Sequence, residues 1–315
     1  MNRDEIYALS CIKGIGPKAI LAIIDCLGDI SLKEIDINLL LSDKRLSRYK
    51  SIISNNLPWD TFEKYIALAQ NKIAEIEKKN ITVLCITDPR YPSLLKLTKD
   101  APVFLYCKGN LSLLESSNNV AVIGTRNNTS YGKLITKKTV QFLCLNDYVI
   151  VSGLALGIDT IAHEEALNSN GKTISVLVDV DNIQPSSNRD LAEKILNKNG
   201  LLVSEEPPGI RILPSHFVKR DRIQSGLSLA VFPIETSIDG GTMYAVKNAE
   251  KEKRLLFVPN IDKVGYMDVN IEQTEGIRYL IEEKKAIPYT KNNYQDILKE
   301  LENLILKLDR AHTLF

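Results

Sequence analysis

From Asn118 onward the chain alternates short, fully apolar runs with amphipathic ones, and this alternation restricts the possible folds more than any other feature. The runs Val120 to Ile123, Tyr148 to Val151, Thr173 to Val178, Leu201 to Val203, Leu229 to Phe232 and Leu255 to Val258 are short and mostly β-branched. Helical patterns at Tyr131 to Leu145, Ile158 to Asn168, Asn188 to Asn197 and Met243 to Lys251 separate most of them. A strand buried on both faces reads as a continuous apolar run, and a parallel neighbour is reached only through a crossover, usually a helix. The class expected is therefore α/β, with a doubly wound, mainly parallel sheet whose ligands bind outside the carboxyl ends of the strands.

The beginning of the chain follows another pattern. "ALSCIKGIGPKAILAIIDCLG" reads as a short helix, the turn Gly14-Ile15-Gly16 and a second helix starting at Pro17, where a missing N–H is harmless. This is a helix-hairpin-helix pattern, whose glycines let the turn approach a phosphate while free amides face it. The same turn also serves as a plain packing unit. The organisation expected is a small helical domain of the helix-hairpin-helix or SAM-like kind at 1–79, an α/β domain at 80–290 that includes the strand candidates "ITVLCI" and "PVFLYCKG", and a C-terminal helix at 291–315. The leucines and isoleucines of "YQDILKELENLILKL" recur at helical spacing, which suits a helix that packs on the core or binds a partner.

Composition excludes several classes. The chain has 315 residues, 44% of them apolar, enough for a sizeable core. Its net charge of +1 creates no global field, so a polyanion site must come from local clustering. No apolar run approaches the length of about eighteen residues that a membrane span needs, and "MNRDEIYALS" lacks the apolar core of a signal peptide, so a cytoplasmic location without membrane contact is expected. Five widely spaced cysteines and three histidines suggest neither a disulfide framework nor a zinc site, and no cofactor is expected.

The loops after the strands carry the chemistry. Gly124, Thr125 and Arg126 follow the first strand, and a guanidinium holds phosphate through two parallel hydrogen bonds. In "SGLALGIDTIAH", Ser152, Gly153 and Gly157 permit close backbone approach, and Asp159 can cap the next helix. Lys172 stands just before the third strand, and Asn188 opens the helix in "QPSSNRDLAEKI". Lys219, Arg220 and Arg222 lie together in a long connection, "PSHFVKRDRIQSGLS", beside Phe217. Gly240, Gly241 and Thr242 then form a further amide-rich cradle at a helix start. Phe217 and Tyr244 are the candidates for base stacking, or core residues. Asp159 and His163 are spaced to pair on one helix, and Glu205, Glu206 and Glu235 are possible proton carriers, but no nucleophile or metal ligand set accompanies them. No enzymatic activity is expected.

In order along the chain, "DPRYPSLL", "PVFLYCKGNLSLL", "VAVIGTR", "VSGLALGIDTIAHEEAL", "GKTISVLV", "PSSNRDLAEKI", "LLVSEEPPG", "HFVKRDRIQSGLSLAVFPIE" and "GGTMYA" resemble the DNA-processing protein A family, also called DprA or Smf. The resemblance implies a Rossmann-like domain that binds single-stranded DNA without sequence specificity, within a homodimer. It also implies a role in protecting incoming DNA and loading the RecA recombinase during natural transformation. By position, Arg126, Lys172, Arg220 and Arg222 would contact phosphates, and Gly124, Ser152, Gly153 and Gly241 would supply amides. The chain departs from the family pattern at Leu156 and Asp221, where arginine and asparagine are usual, and at Gly240-Gly241-Thr242, where S-G-S is usual. A lost cation and an added anion should weaken phosphate binding. The chain also ends without the winged helix that some members append. The alternative is a pocket for a free nucleotide, as in a nucleotide sensor or a phosphoribohydrolase with the motif P-G-G-x-G-T-x-x-E. Here "DGGT" lacks the preceding proline, and Met243 to Val246 contains no acid.

Overall fold

The structure is a computed structural model that describes residues 1–261 and 271–312. The chain divides into two compact units, Met1–Tyr91 with Pro102–Tyr106, and Pro92–Ala101 with Cys107 onward.

The first unit contains α1 (Arg3–Ser10), α2 (Pro17–Leu27), α3 (Ile37–Ser42), α4 (Lys50–Asn56), α5 (Phe62–Glu77) and β1 (Thr82–Cys85). A reciprocal cap starts α1: the Asn2 side chain accepts from the Glu5 amide at 2.9 Å, and the Glu5 carboxylate accepts from the Asn2 amide at 3.0 Å. Gly16 caps α2 and Pro17 is its first residue, as the spacing predicts. Ile6, Leu9, Ile20, Ile23, Ile53 and Ile73 are buried in this unit.

In chain order the second unit contributes α6 (Ser93–Lys96), β2 (Phe104–Gly109, its first three residues belonging to the first unit), β3 (Asn119–Ile123), α7 (Ser130–Leu145), β4 (Val149–Ser152) and α8 (Ile158–Asn168). Then come β5 (Thr173–Leu177), α9 (Arg189–Asn197), β6 (Leu201–Ser204), α10 (Pro214–Gly226), β7 (Ala230–Pro233) and α11 (Thr242–Lys251). The series closes with β8 (Leu255–Pro259), α12 (Ile271–Glu282), β9 (Ile287–Tyr289) and α13 (Tyr294–His312). Residues 313–315 of the expected C-terminal segment lie outside the described residues.

The strands of this unit stand in the order β6-β5-β4-β3-β7-β8-β9, and each neighbouring pair is parallel. At the centre, Val120 of β3 lies opposite Ile150 on β4 and Ala230 on β7. The chain moves outward from β3 to β6 and then returns to β7. Right-handed crossovers in the two directions place α7, α8 and α9 on one face and α10 and α11 on the other. Accordingly α7 packs on α8, and α10 packs on α11.

Phe232 on β7 is fully buried, with its ring stacked at 5.1 Å on Phe257 of β8 and edge-on at 5.9 Å to Tyr289 of β9. The terminal helix joins this core. Ile297 and Leu301 are buried in it, and Tyr294 stacks on Phe142 of α7 with ring centroids 4.1 Å apart. Of the cysteines, Cys85 and Cys107 are buried and the other three are half-buried, and all five are free.

One segment differs from its sequence reading. The connection "PSHFVKRDRIQSGLS" is largely the helix α10, begun by Pro214 at its first turn. Its buried residues are Arg220, Ile223, Gln224, Ser225 and Gly226, so the inward face is mostly polar and no apolar stripe marks it in the sequence. Because Phe232 joins three strands, Phe232→Ala should lower unfolding free energy by about 3–5 kcal/mol, measured by urea denaturation.

Candidate nucleic-acid interface

The connections that leave the carboxyl ends of β3 and β7 part in opposite directions, which opens a crevice where open α/β sheets hold their ligands. A pocket of about 390 Å³ fills it. The loop after β3 supplies Gly124, Thr125 and Arg126, and α8 supplies Asp159. From α10 come Arg220, Asp221 and Gln224, and the segment into α11 adds Thr236, Ser237, Gly240, Gly241 and Thr242.

Among the helices that begin at this end of the sheet are α7, α8 and α11, and the protein's own groups engage the first two of these starts. At α7, Glu235 from the end of β7 accepts the Thr129 amide at 2.9 Å and the Thr129 hydroxyl, while Thr129 Oγ1 accepts from the Gly132 amide at 3.1 Å. The start of α8 has no side-chain cap; its Ile158 amide donates to the Thr125 carbonyl at 3.2 Å and its Thr160 amide to the Ala155 carbonyl at 3.1 Å, while the Asp159 carboxylate accepts from the amides of Gly153 at 3.1 Å and Ala155 at 3.4 Å in the loop ahead of the helix. The third helix, α11, has no side-chain cap. Its N-terminal glycines and Thr242 open into the pocket, and uncapped amides with the helix dipole behind them attract an anion.

The loop after β3 is pinned on both sides. Its Thr125 amide donates to the Glu235 carbonyl at 2.8 Å, and its Thr125 carbonyl accepts from the Ile158 amide at 3.2 Å. Arg126 stands exposed at the tip. Gly157 adopts φ +80, and a Cβ there would lie 2.4 and 2.6 Å from the carbonyl oxygens of Thr125 and Arg126. Arg220 is only 6% exposed, and its Nη1 donates to the Val176 carbonyl at 3.1 Å. Its guanidinium occupies the space left by the missing side chain of Gly153, where a Cβ would lie 1.6 Å from Nη1.

Asp221 Oδ1 stands 3.2 Å from Arg220 Nε. Burial lifts the Asp221 carboxyl to about 6 against the pull of Arg220. Burial also raises Asp159, opposed by Arg220 and by its two amide hydrogen bonds. Beside the pocket, across Arg126, Ala155 and Arg220, lies a second hollow of about 410 Å³ walled by Leu156, Pro185, Pro214, Phe217 and Val218.

A family model for DNA recombination-mediator protein A matches residues 82–302. The chain belongs to that family. The DNA processing protein DprA of Bacillus subtilis is 34% identical over 186 residues, which span 59% of this chain and 62% of that protein, less than two thirds of its length. The X-ray structure of DNA processing protein A from Streptococcus pneumoniae superposes with a TM-score of 0.75 at 30% identity, covering 95% of this chain and 98% of that one. A Helicobacter pylori DNA processing protein A structure, described for its single-stranded DNA binding mode, gives 0.61 at 31% identity over 70% of this chain and 96% of that one. The family and the Rossmann-like α/β class indicated by the ordered motifs are thus found.

Of the residues singled out in the sequence of this family member, the pocket brings together Gly124, Thr125, Arg126, Arg220, Gly240, Gly241 and Thr242. Gly153 and Gly157 stand behind the lining, where they leave room for the Arg220 guanidinium and for the loop after β3. The Ser152 hydroxyl is buried and donates to the Val122 carbonyl at 2.7 Å. Asn188 Nδ2 donates to the Leu154 carbonyl and to Thr160 Oγ1, both at 2.8 Å, and so fixes the loop between β4 and α8. Lys172 precedes β5 and therefore stands at the other end of the sheet, its Nζ 3.3 Å from the Lys198 carbonyl.

Lys219 and Arg222 point to a different side of α10 from Arg220. Lys219 Nζ is 2.7 Å from Glu206 and 3.3 Å from Glu205, and Arg222 Nη2 donates to Glu205 at 2.7 Å. Glu205 and Glu206 are thus engaged away from Glu235. Asp159 and His163 also bond separately: His163 Nδ1 is 2.7 Å from Thr173 Oγ1, which itself donates to the Ile150 carbonyl at 2.7 Å, so Nδ1 is the donor. Burial lowers the His163 pKa to about 3 and keeps the ring neutral. Sequence reading missed Gln224, whose place depends on α10, and the hydroxyls of Thr236 and Ser237, which a Thr-Ser pair before a glycine turn could have signalled.

Gly153→Ala should expel the Arg220 guanidinium and destabilise the protein by about 1–3 kcal/mol in urea denaturation. In an Arg220→Ala background the same substitution should be close to neutral, a coupling that a double-mutant cycle measures.

Proposed function

We propose that this protein binds single-stranded DNA without regard to sequence, shields it, and helps load a RecA-type recombinase, acting as a homodimer in natural transformation or a related DNA-processing step. The observation that supports DNA binding is the uncapped start of α11, which opens into a pocket flanked by Arg126 and Arg220. With the α7 start engaged by Glu235 and the first α8 amides bonded to the Thr125 and Ala155 carbonyls, the α11 start is left for an anion from outside. Arg126 borders both the polar pocket and the apolar hollow, so a phosphate in the first leaves its base beside Phe217 and Leu156 in the second. Cationic and apolar surfaces side by side suit a flexible single strand whose bases are unpaired. The Helicobacter pylori relative, known for its single-stranded DNA binding mode, supports the same ligand. The family's description as a recombination mediator supports the recombinase part.

The test is fluorescence anisotropy of a labelled oligo-dT, titrated with wild type and Arg126→Ala at two salt concentrations, with duplex DNA and a nucleoside monophosphate as competitors. Wild type should bind in a salt-sensitive way, and duplex should compete poorly. Arg126→Ala should weaken binding about tenfold or more and reduce the log–log salt slope by about 0.7, the value of one lost phosphate contact on a single strand. Absence of binding at low salt, or displacement by the mononucleotide at equal concentration, would overturn the DNA reading in favour of a free-nucleotide site.

A further inference from the structure

Asp221 is an unexpected side chain to find in an anion pocket. It follows Arg220 directly on α10, and its carboxylate faces the Arg220 guanidinium at 3.2 Å. Both residues line the same pocket as Arg126 and Asp159. The site thus presents two guanidinium groups, one set of open helix amides and two carboxylates.

The two carboxylates are held differently. Asp159 is fixed by backbone amides of the loop ahead of α8 and is 6% exposed. Asp221 accepts from the side chain of Gln224 at 3.0 Å, one turn along its own helix, and its side chain remains 19% exposed toward the pocket. A phosphate that approached Arg220 from the pocket would meet the Asp221 carboxylate in the place it needs. Like charges at that separation repel strongly in a half-buried site.

We propose that Asp221 makes anion binding proton-linked: a phosphate entering between Arg126 and Arg220 takes the place of the Asp221 carboxylate against Arg220, and Asp221 takes up one proton from solvent as it does so. This inference rests on the reading of the pocket as a DNA-phosphate site. Among the described residues, Arg220 and Gln224 from α10, Asp159 from α8 and Arg126 from the loop after β3 act on Asp221. Burial dominates and lifts the carboxyl to about 6; Arg220, Arg126 and Gln224 pull it down and Asp159 pushes it up. A bound phosphate adds another negative neighbour and raises it further. Proton uptake therefore occurs between about 6 and the higher value of the bound state. In that window affinity should rise by up to about tenfold for each unit that the pH falls, then level off below about 6. Once protonated, the carboxyl also has an O–H to donate to a phosphate oxygen.

The experiment is the same anisotropy titration with oligo-dT, carried out on wild type and Asp221→Asn at constant ionic strength and at pH values on either side of 6. Thymine and the phosphodiester do not titrate in this range, so any slope belongs to the protein. Wild-type affinity should climb as the pH falls and then level off. Asp221→Asn should be flat and should bind at neutral pH about as tightly as wild type does at the acidic end. A salt-sensitive wild type with no pH slope would overturn this inference while leaving the DNA reading in place. An Asp221→Asn protein that kept the wild-type slope would do the same and assign the proton to Asp159 or another group. No binding by either protein at any pH would overturn the DNA reading and this inference with it. Where Asp221→Asn fails to fold, Asp221→Ser, which cannot ionise either, takes its place, and a flat wild-type titration overturns the inference without any variant.

Discussion

The shared direction of the strands from β3 to β9 governs the layout of the second unit. Parallel strands send every strand-to-helix loop out at the same end, and a reversal in the order of strands leaves a gap there. Here the reversal falls between β3 and β7, so the loop carrying Arg126 and the segment carrying Gly240 and Gly241 become neighbours although they are far apart in sequence. The helix α10 crosses back over the sheet to reach β7 and brings Arg220 to the same gap. Topology assembles the pocket, and the side chains then set its charge.

That charge is settled largely from within. Helix starts clustered at one end of a sheet concentrate unpaired amides, and each needs an acceptor. Glu235 serves as the internal anion at the α7 start and Asp159 for the loop ahead of α8, and Arg220 lies beside Asp159 as its buried counter-charge. The outcome is a site with strong local fields and little net charge, which agrees with a chain whose net charge is +1. Selectivity in such a site depends on which amides and cations remain exposed, namely α11 and Arg126.

Much of the fold was legible because parallel strands buried on both faces leave continuous apolar runs, as at Val120 to Ile123 and Thr173 to Val178. The helix α10 was hidden for the opposite reason, since its inner face carries Arg220, Gln224 and Ser225 in place of leucines. Missing that helix also hid its phase. The sequence groups residues 219 and 222 with 220 as one basic cluster, whereas the rotation of roughly 100° per helical residue turns the pair that meets Glu205 and Glu206 away from the one that meets the pocket. The glycine-rich loops were legible from residue type alone. Which of them were already filled was not, because Glu235 reaches Thr129 across 106 positions of sequence and no local pattern encodes that contact. The distance of Lys172 from this pocket is legible in the sequence, since a residue ahead of a parallel strand lies at the end away from the loops.

The contact between Glu235 and Thr129 also bears on how the pocket moves. It ties the end of β7 to the start of α7, and the Thr125 amide ties the same strand end to the loop after β3. The carboxyl end of β7, the loop after β3 and the start of α7 are therefore held together at the base of the crevice. If the proposed single strand settles there, most of the conformational freedom given up on binding is its own. Association should then be limited by how often the incoming chain presents a suitable bend, and stiffness in the ligand, not looseness in the protein, becomes the variable that sets the rate.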